Sequence, residues 1–334
     1  MRVLVENSSW NNIGDAFYQF SLFNLLQRSF PQHQIAFLNA PVVRSFRVAP
    51  RFMRNAYHPE SMQDADIYVL SGPILNGAFL RDYAPLIRSW CRRGGRYAVV
   101  SAHGDAHSQR EIAEFLRSHP PLILATRDRA TYELYKECPF PTYDGVCTAS
   151  LVSLTCEPGE MLVDRPYVAC SFYDGFEPSF SIEENDAGEV VEVSGIRDWR
   201  PSRHWRLLRH LEFRAKVYPA MCGRYEVVRP LHDLGYKFSH LNFARKNSFI
   251  SYNAFVYLAL YKCAKLTITN RLHAALPALS FGRPVAYVGA TPRNGALDRL
   301  GLQDYQGRVV RCARDIIERE YEKLVEALRN AGMG

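Results

Sequence analysis

Residues 265–288 read KLTITNRLHAALPALSFGRPVAYV and contain the pattern that decides the fold. The short β-branched run at 266–269 predicts a strand, and the small apolar run at 272–281 predicts a helix capped by Asn270. Gly282 ends that helix before the apolar run that predicts a second strand. A strand, a helix and a strand in this order indicate an α/β protein.

Two side chains that can do chemistry follow the first of these strands. Arg271 and His273 fall in the first turn of the predicted helix, just past the carboxyl end of the strand. Open α/β sheets bind ligands at this edge, and the free N–H groups and dipole of a helix start favour an anion. A cation and a titratable imidazole therefore indicate chemistry on a phosphate or carboxylate. The alternative for the isolated pair is a surface arginine and a packing histidine.

The beginning of the chain has a second polar turn between a strand and a helix. Residues 2–6 predict a strand, and residues 16–29 predict an amphipathic helix. The turn between them contains Gly14 and has the character of an anion cradle, although it is neither a P-loop nor a GxGxxG fingerprint. Asp15 either complements the helix dipole or acts on a substrate.

Length and composition restrict the class of protein. A chain of 334 residues, 47% of them hydrophobic, is long enough for two folded domains. No apolar run approaches the ~20 residues that span a bilayer, and no signal-peptide pattern precedes the first strand, which predicts a cytoplasmic protein. The eight cysteines include no CxxC pair and no zinc-like spacing with histidine, which predicts reduced thiols and no metal site.

The net charge is strongly positive. A formal charge of +7, mainly from an excess of arginine, favours anionic ligands or an anionic membrane surface. No helix-turn-helix, zinc-finger or RNP motif is present, so we expect no nucleic-acid partner. Basic residues concentrate in a loop at 41–63 and in segment 197–216, whose tryptophans and arginines also fit a helix at a membrane surface.

Strand and helix patterns alternate along both halves of the chain. They predict one α/β domain over residues 1–150, a second over 151–313 and a terminal helix over 314–334. The polar motifs fall at corners where strands lead into helices. The predicted architecture is therefore a pair of Rossmann-like domains that face a cleft, as in the GT-B fold.

Five short motifs resemble the polysaccharide pyruvyl transferase family. They occur in the family's order between residues 11 and 288, and the most specific is Arg-Leu-His-Ala at 271–274. The matching segments are NIGD at 12–15, DIYVLSGPIL at 66–75, TRDRAT at 126–131, YDG at 143–145 and NRLHA at 270–274, followed by GRP at 282–284. Two features depart from the family pattern: Ser71-Gly72-Pro73 replaces a fuller glycine turn, and no lysine follows the strand at 285–288.

The resemblance implies an enzyme that takes phosphoenolpyruvate as donor and builds a pyruvate ketal on two hydroxyls of a sugar in a cell-surface glycan. It implies no cofactor and no metal, and the acceptor is expected to be a lipid-linked saccharide. The protein would then work in the cytoplasm or at the inner face of the membrane.

Each site residue follows from its place in a matching motif or at a strand end. The second domain would bind the donor and the first domain the acceptor. The expected residues are His273 as general acid, Asp15 as base, Arg127, Arg271, Leu272 and Arg293 for the donor, and Asn12, His103 and Asp105 for the acceptor. Arg293 is the candidate replacement for the missing lysine.

Two other functions compete with this interpretation. A GT-B nucleotide-sugar glycosyltransferase shares the fold and the anion-binding helix, but retaining members usually hold the ribose with a glutamate. No glutamate lies between Lys265 and Asp298. A non-catalytic glycan-binding module would use the aromatic residues as stacking platforms, and it gives Arg127 and the Arg-Leu-His turn no role.

Overall fold

Two β-sheets organise the chain in the computed structural model of the protein. The structure describes residues 1–7, 12–39, 63–161, 163–172, 177–200, 218–233, 245–289 and 292–334. Within these ranges, no helix is long and apolar enough to cross a membrane.

Six parallel strands form the first sheet. They are β1 (Arg2–Asn7), β2 (Gln34–Asn39), β3 (Ile67–Ser71), β4 (Arg96–Ala102), β5 (Leu124–Thr126) and β6 (Thr142–Asp144). Their order across the sheet is β2-β1-β3-β4-β5-β6. The helices of this half are α1 (Ile13–Ser29), α2 (Phe79–Asp82), α3 (Ala84–Arg92), α4 (Gln109–Ser118) and α5 (Arg129–Tyr135). Every residue of β3 is buried, as a parallel strand covered on both faces requires.

A 3₁₀ turn at Thr148–Leu151 and the short helix α6 (Val152–Thr155) lead to the second half. Its strands are β7 (Tyr167–Ser171), β8 (Ser181–Glu184), β9 (Val190–Ser194), β10 (Met221–Cys222), β11 (Tyr225–Pro230), β12 (Ser248–Phe249), β13 (Leu266–Thr269), β14 (Val285–Tyr287) and β15 (Val309–Val310). The second sheet has a parallel centre, β11-β7-β13-β14, with antiparallel edges β10 and β15, while β8 and β9 form a separate hairpin. The helices are α7 (Ala254–Cys263), α8 (Leu272–Ser280), α9 (Gly295–Asp298) and α10 (Arg314–Leu328).

The predicted alternation of strands and helices is confirmed, with three local corrections. Helix α1 begins at Ile13 rather than at residue 16, because the Asn12 side chain accepts a hydrogen bond from the Gly14 amide. The sequence pattern at 80–93 predicts one helix, but the structure has two, since Pro85 has no amide hydrogen to continue the helical ladder. The residue that caps α8 is Arg271 rather than Asn270.

Parts of two predicted basic segments lie outside the described residues. These are residues 41–62 of the loop and 201–216 of the second segment. Residues 197–198 form a turn and residues 199–200 have no regular structure, so the predicted helix does not begin here. The membrane contact assigned to these segments stays a prediction.

One hydrophobic core runs through both halves of the chain. Phe17 of α1, Leu276 of α8 and Leu324 of α10 belong to the same buried cluster. The last helix is also tied to the first half by polar contacts, because the Ser29 and Tyr321 hydroxyls lie 3.0 Å apart. This packing joins the half of the chain that contains the first sheet to the half that contains the second. The predicted domain limits stay a prediction.

The buried ion pair between Arg229 and Glu177 gives a test of the second half. The Arg229 guanidinium donates to both carboxylate oxygens, at 2.7 and 2.8 Å, and to the carbonyls of Lys246 and Pro219. We expect Arg229→Met to lower the free energy of unfolding by about 3 kcal/mol or more, because it removes the guanidinium that donates to both oxygens of a buried carboxylate. Urea unfolding monitored by circular dichroism measures this change.

The double variant Arg229→Met/Glu177→Met is the control. It removes the stranded charge and should regain part of the lost stability, although two carbonyls stay without their donor. A double variant as unstable as the single one would contradict the electrostatic explanation.

Candidate active site

Each sheet has a topological switch point beside its first strand. Strand β1 lies between β2 and β3, and β7 lies between β11 and β13. The chain connections run to opposite sides of β1 and of β7, which opens a crevice at the carboxyl ends of these strands. In α/β proteins, ligands bind in such a crevice. The segment after β1 leads to α1, and the segment after β13 leads to α8.

The two corners meet at Gly14 and His273. A Cβ added to Gly14 would lie 2.8 Å from Cβ and 3.2 Å from Nδ1 of His273, so the close approach requires a glycine. The Ile13 amide also donates to the carbonyl of His232 at 2.8 Å. The amino ends of α1 and α8 therefore converge on one point between the sheets.

His273 occupies the second position of α8. Its N-cap, Arg271, is held in an extended conformation by a hydrogen bond from its amide to the Thr269 hydroxyl at 2.9 Å. The partly exposed imidazole places Nε2 3.8 Å from Sγ of Cys147, and its centroid is 5.2 Å from that of the Tyr18 ring. The first half of the chain thus supplies the wall against which this ring packs.

Cys147 lies within hydrogen-bonding reach of His273. Burial raises the pKa of the Cys147 thiol, so the sulfur stays protonated at neutral pH. The direction of the hydrogen bond between the thiol and Nε2 depends on the tautomer of the ring. A thiol that donates to Nε2 would leave the proton of the neutral ring on Nδ1, on the side that faces α1.

Ser101 supports this arrangement from the end of β4. It is buried, has a φ of 58°, and its hydroxyl accepts a hydrogen bond from the Thr148 amide. The same hydroxyl interacts with the Cys147 thiol and lowers its pKa, against the larger effect of burial. A positive φ in a residue other than glycine costs of order 1–3 kcal/mol and concentrates at functional sites.

Positive charge surrounds the His273 ring. Burial lowers the pKa of His273 well below its usual value, and the charges of Arg127 and Arg293 lower it further. The structure therefore brings together three of the predicted residues, one on the first half of the chain and two on the second. The imidazole is neutral at pH 7 in the free protein.

Arg127 is a buried cation with little compensation. Its side chain is 1% exposed, and within the described ranges its Nε makes no hydrogen bond. The carboxylate oxygen nearest to Nε, Oδ2 of Asp128, is 4.0 Å away. A buried guanidinium without a hydrogen-bonded counter-ion is costly, and an anionic ligand would supply that counter-ion.

Asp128 is occupied by other partners. One carboxylate oxygen lies 2.8 Å from Nδ1 of His103, and the other accepts the Thr131 amide at 2.8 Å and so caps α5. Burial would raise the pKa of Asp128, but the hydrogen bonds from His103 and Thr131 outweigh burial and lower it. His103 keeps Nε2 without a hydrogen-bond partner in the described part of the chain.

Arg271 is oriented by a carboxylate that the sequence did not single out. Its guanidinium donates to Asp233 at 2.6 Å, and both side chains are mostly buried. Asp233 is itself fixed to the start of α1 by a bridge with Asn12. Burial and the nearby charge of Arg271 lower the pKa of His232 well below its usual value, so this neighbour is neutral.

The remaining predicted residues have different surroundings. Arg293 is exposed on a 3₁₀ turn, and its neighbour Asn294 anchors that turn through the Gly289 carbonyl at 2.9 Å. Leu272 is buried. Asp105 is exposed and accepts the Ser108 amide, with no hydrogen bond to the His273 corner among the contacts of the described residues.

Asn12 and Asp15 lie at the start of α1, beside the His273 corner. The side chain of Asn12 caps the helix, and Asp15 is half-buried in its first turn. No sequence motif pointed to Tyr18, Asp233 or Ser101, whereas Cys147 follows the YDG motif by two residues and could have been considered on that ground.

A family model described as polysaccharide pyruvyl transferase matches residues 10–291. No curated protein matches the sequence significantly.

Solved structures show the same fold. A UDP-bound S. aureus MnaA has a TM-score of 0.53 at 11% identity, with 98% of this chain and 91% of that chain covered. A putative UDP-N-acetylglucosamine 2-epimerase from Listeria monocytogenes has a TM-score of 0.52 at 10% identity, with 100% and 89% covered. The chain therefore has the GT-B-like arrangement predicted from its sequence.

Gly14→Ala tests the contact between the two corners. Alanine favours a helix by about 1 kcal/mol relative to glycine, so helix propensity alone predicts a more stable protein. The added methyl group instead collides with His273, so we expect a displaced imidazole and a loss of activity. The chemical shifts of labelled His273 report the displacement directly.

Gly77→Ala is the matched control, because its Cβ would meet only the Ser108 hydroxyl, at 3.6 Å. Unchanged His273 shifts in Gly14→Ala would show that the corner can relax without cost.

The titration of His273 tests the charge of the site. A carbon-13 signal, assigned by its loss in His273→Gln, should titrate below the ordinary value of ~6.5. Because the folded pKa is the lower one, the unfolded chain binds the proton first, and stability should fall as the pH drops below ~6.5. Arg127→Gln should raise the titration midpoint, because it removes a nearby positive charge. A midpoint that does not move in this variant would contradict the assigned coupling.

Proposed function

Because the chain belongs to the polysaccharide pyruvyl transferase family, we propose that it transfers the pyruvate group of phosphoenolpyruvate to two hydroxyls of a sugar as a ketal. The product would be part of a cell-surface polysaccharide or glycolipid. The observation that carries the proposal is the buried guanidinium of Arg127, which lacks a hydrogen-bonded counter-ion in the described part of the chain and lies close enough to His273 to lower its pKa.

Phosphoenolpyruvate has the charges that this corner requires. Its carboxylate and phosphate can accept bidentate hydrogen bonds from guanidinium groups, which hold the donor in a defined orientation. Arg127 and Arg293 supply such groups next to His273, and Asp233 orients a third on Arg271. Leu272 would pack beside the donor from the first turn of α8.

The reaction balances with one donor and two hydroxyls. A proton adds to the methylene carbon, the central carbon becomes electrophilic, and the first hydroxyl oxygen attacks it. Inorganic phosphate then leaves and the second hydroxyl closes the ketal. One hydroxyl proton replaces the proton given to the methylene carbon, and the other leaves with the phosphate.

His273 is proposed as the proton donor and Asp15 as the base for a sugar hydroxyl. The free protein holds His273 neutral, with its pKa lowered by burial, Arg127 and Arg293. A bound dianion would offset those two cations and raise the pKa of the imidazole. The donor would therefore promote protonation of its own general acid, as catalysis near neutral pH requires.

The acceptor is proposed to bind on the side of the first sheet. Three groups can hydrogen-bond sugar hydroxyls there. They are Nε2 of His103, which has no partner among the described residues, the exposed carboxylate of Asp105 and the side chain of Asn12. We propose a lipid-linked saccharide as acceptor and a working place in the cytoplasm, at or near the membrane. No cofactor or metal is part of the proposal.

Donor binding tests the proposal directly. We expect phosphoenolpyruvate at 100 times its Kd to stabilise the native protein by about 2.7 kcal/mol, and UDP- and GDP-sugars to have no effect. Thermal unfolding measures this shift. Arg127→Gln should abolish the shift, and His273→Gln should reduce phosphate release in the presence of acceptor by about 10²- to 10⁴-fold.

Arg129→Gln is the matched control, because Arg129 is exposed and paired with Glu133 and Asp144. It should keep the full response to phosphoenolpyruvate. A thermal shift with a UDP-sugar and none with phosphoenolpyruvate would overturn the proposal in favour of a nucleotide-sugar glycosyltransferase.

A further inference from the structure

A second cavity lies at the opposite end of α8 from His273. Its volume is about 510 Å³, and its lining includes Ser280 and Arg283 at the end of that helix. Seven residues separate His273 from Ser280, which corresponds to roughly 10 Å along a helix axis. The cavity is therefore at the amino edge of the second sheet, away from the edge with the candidate active site.

The cavity lies where the chain passes between its two halves. Ser153 and Glu157, on its wall, belong to the segment that leads from the first sheet to β7. Arg314, also on the wall, opens α10, which returns to the first half. A ligand in this cavity would contact both of the segments that connect the two halves of the chain.

Two cations of the wall have no carboxylate partner in the described residues. Lys262 makes one side-chain contact, from its ammonium to the Pro158 carbonyl at 3.5 Å. Arg283 donates Nε to the Lys262 carbonyl at 2.5 Å, which fixes the guanidinium and leaves both Nη groups for another acceptor. The acid on the wall, Glu157, is 87% exposed and paired with Arg28. Its charge therefore compensates neither cation.

Further donors complete the lining. The Ser280 hydroxyl lies 2.9 Å from the Ser153 hydroxyl, and Nη1 of Arg314 lies 3.5 Å from the same Ser153 oxygen. Arg314 is also paired with Glu318 through Nε at 2.8 Å, so the excess positive charge is that of the two cations described above. N–H and O–H groups around such a charge match the oxygens of a phosphate, which accept hydrogen bonds in many directions. The volume exceeds that of one phosphate, which suits a phosphate attached to a larger molecule.

We propose that this cavity is a second anion site, which binds a phosphate group through Lys262, Arg283 and Arg314. The phosphate comes either from a free phosphorylated molecule or from the headgroup of an anionic lipid. The site is independent of the proposed transferase reaction, since none of its residues belongs to the His273 corner.

Calorimetric titration with inorganic pyrophosphate tests the site. The measurement uses the Arg127→Gln background, so that the candidate active site does not contribute. We expect saturable binding with one ligand per chain, and Lys262→Met should weaken it at least tenfold. Lys265→Met is the matched control, because Lys265 is exposed and does not line the cavity. It should change the affinity less than twofold.

Vesicles distinguish the two sources of phosphate. A lipid headgroup would be identified if the protein sediments with phosphatidylglycerol vesicles but not with phosphatidylcholine vesicles, and if Lys262→Met reduces that sedimentation. Pyrophosphate binding without sedimentation would identify a free phosphorylated molecule. The proposal would be overturned if the protein neither binds pyrophosphate nor sediments with vesicles. It would also be overturned if Lys262→Met and Lys265→Met change pyrophosphate binding and vesicle sedimentation equally. The outcome does not depend on phosphoenolpyruvate, so it is separable from a failure of the proposed function.

Discussion

The contact between Gly14 and His273 is the constraint on which the site depends. It brings together the starts of a 17-residue helix and a 9-residue helix, which follow strands of two different sheets. Each helix start carries positive partial charge, so their convergence favours an anion at this corner before any charged side chain is counted. The hydrogen bond from Ile13 to His232 holds the same approach through the backbone.

The arginines that add to this corner are stabilised unequally. Arg271 has its carboxylate partner in Asp233, whereas Arg127 is buried with Asp128 already committed to His103 and Thr131. A buried cation without a hydrogen-bonded counter-ion destabilises the folded protein, and functional sites commonly retain such costs. Burial and the charges of Arg127 and Arg293 hold His273 neutral in the free protein. A bound anion is proposed to offset those charges, which would link ligand affinity to the protonation of the proposed general acid.

Local sequence patterns predicted many of the strands and helices and the order of the motifs, but they did not single out β11, a central strand of the second sheet. Other errors were at the ends of elements. The cap of Asn12 extended α1, Pro85 interrupted a helix, and Arg271 took the position expected for Asn270. Such ends depend on single side-chain hydrogen bonds and on one missing amide hydrogen, which a periodic pattern does not reveal.

The sequence by itself determined the α/β class, the strand-to-helix corners and the presence of Arg127, Arg271 and His273 at them, because these depend on neighbours along the chain. Only the tertiary structure decided which corners meet. It placed Cys147 against His273, joined Asp233 to Arg271 across 38 positions and left Arg127 without a hydrogen-bonded partner in the described residues. These relations arise from the packing of two sheets through one core, so no local pattern in the chain encodes them.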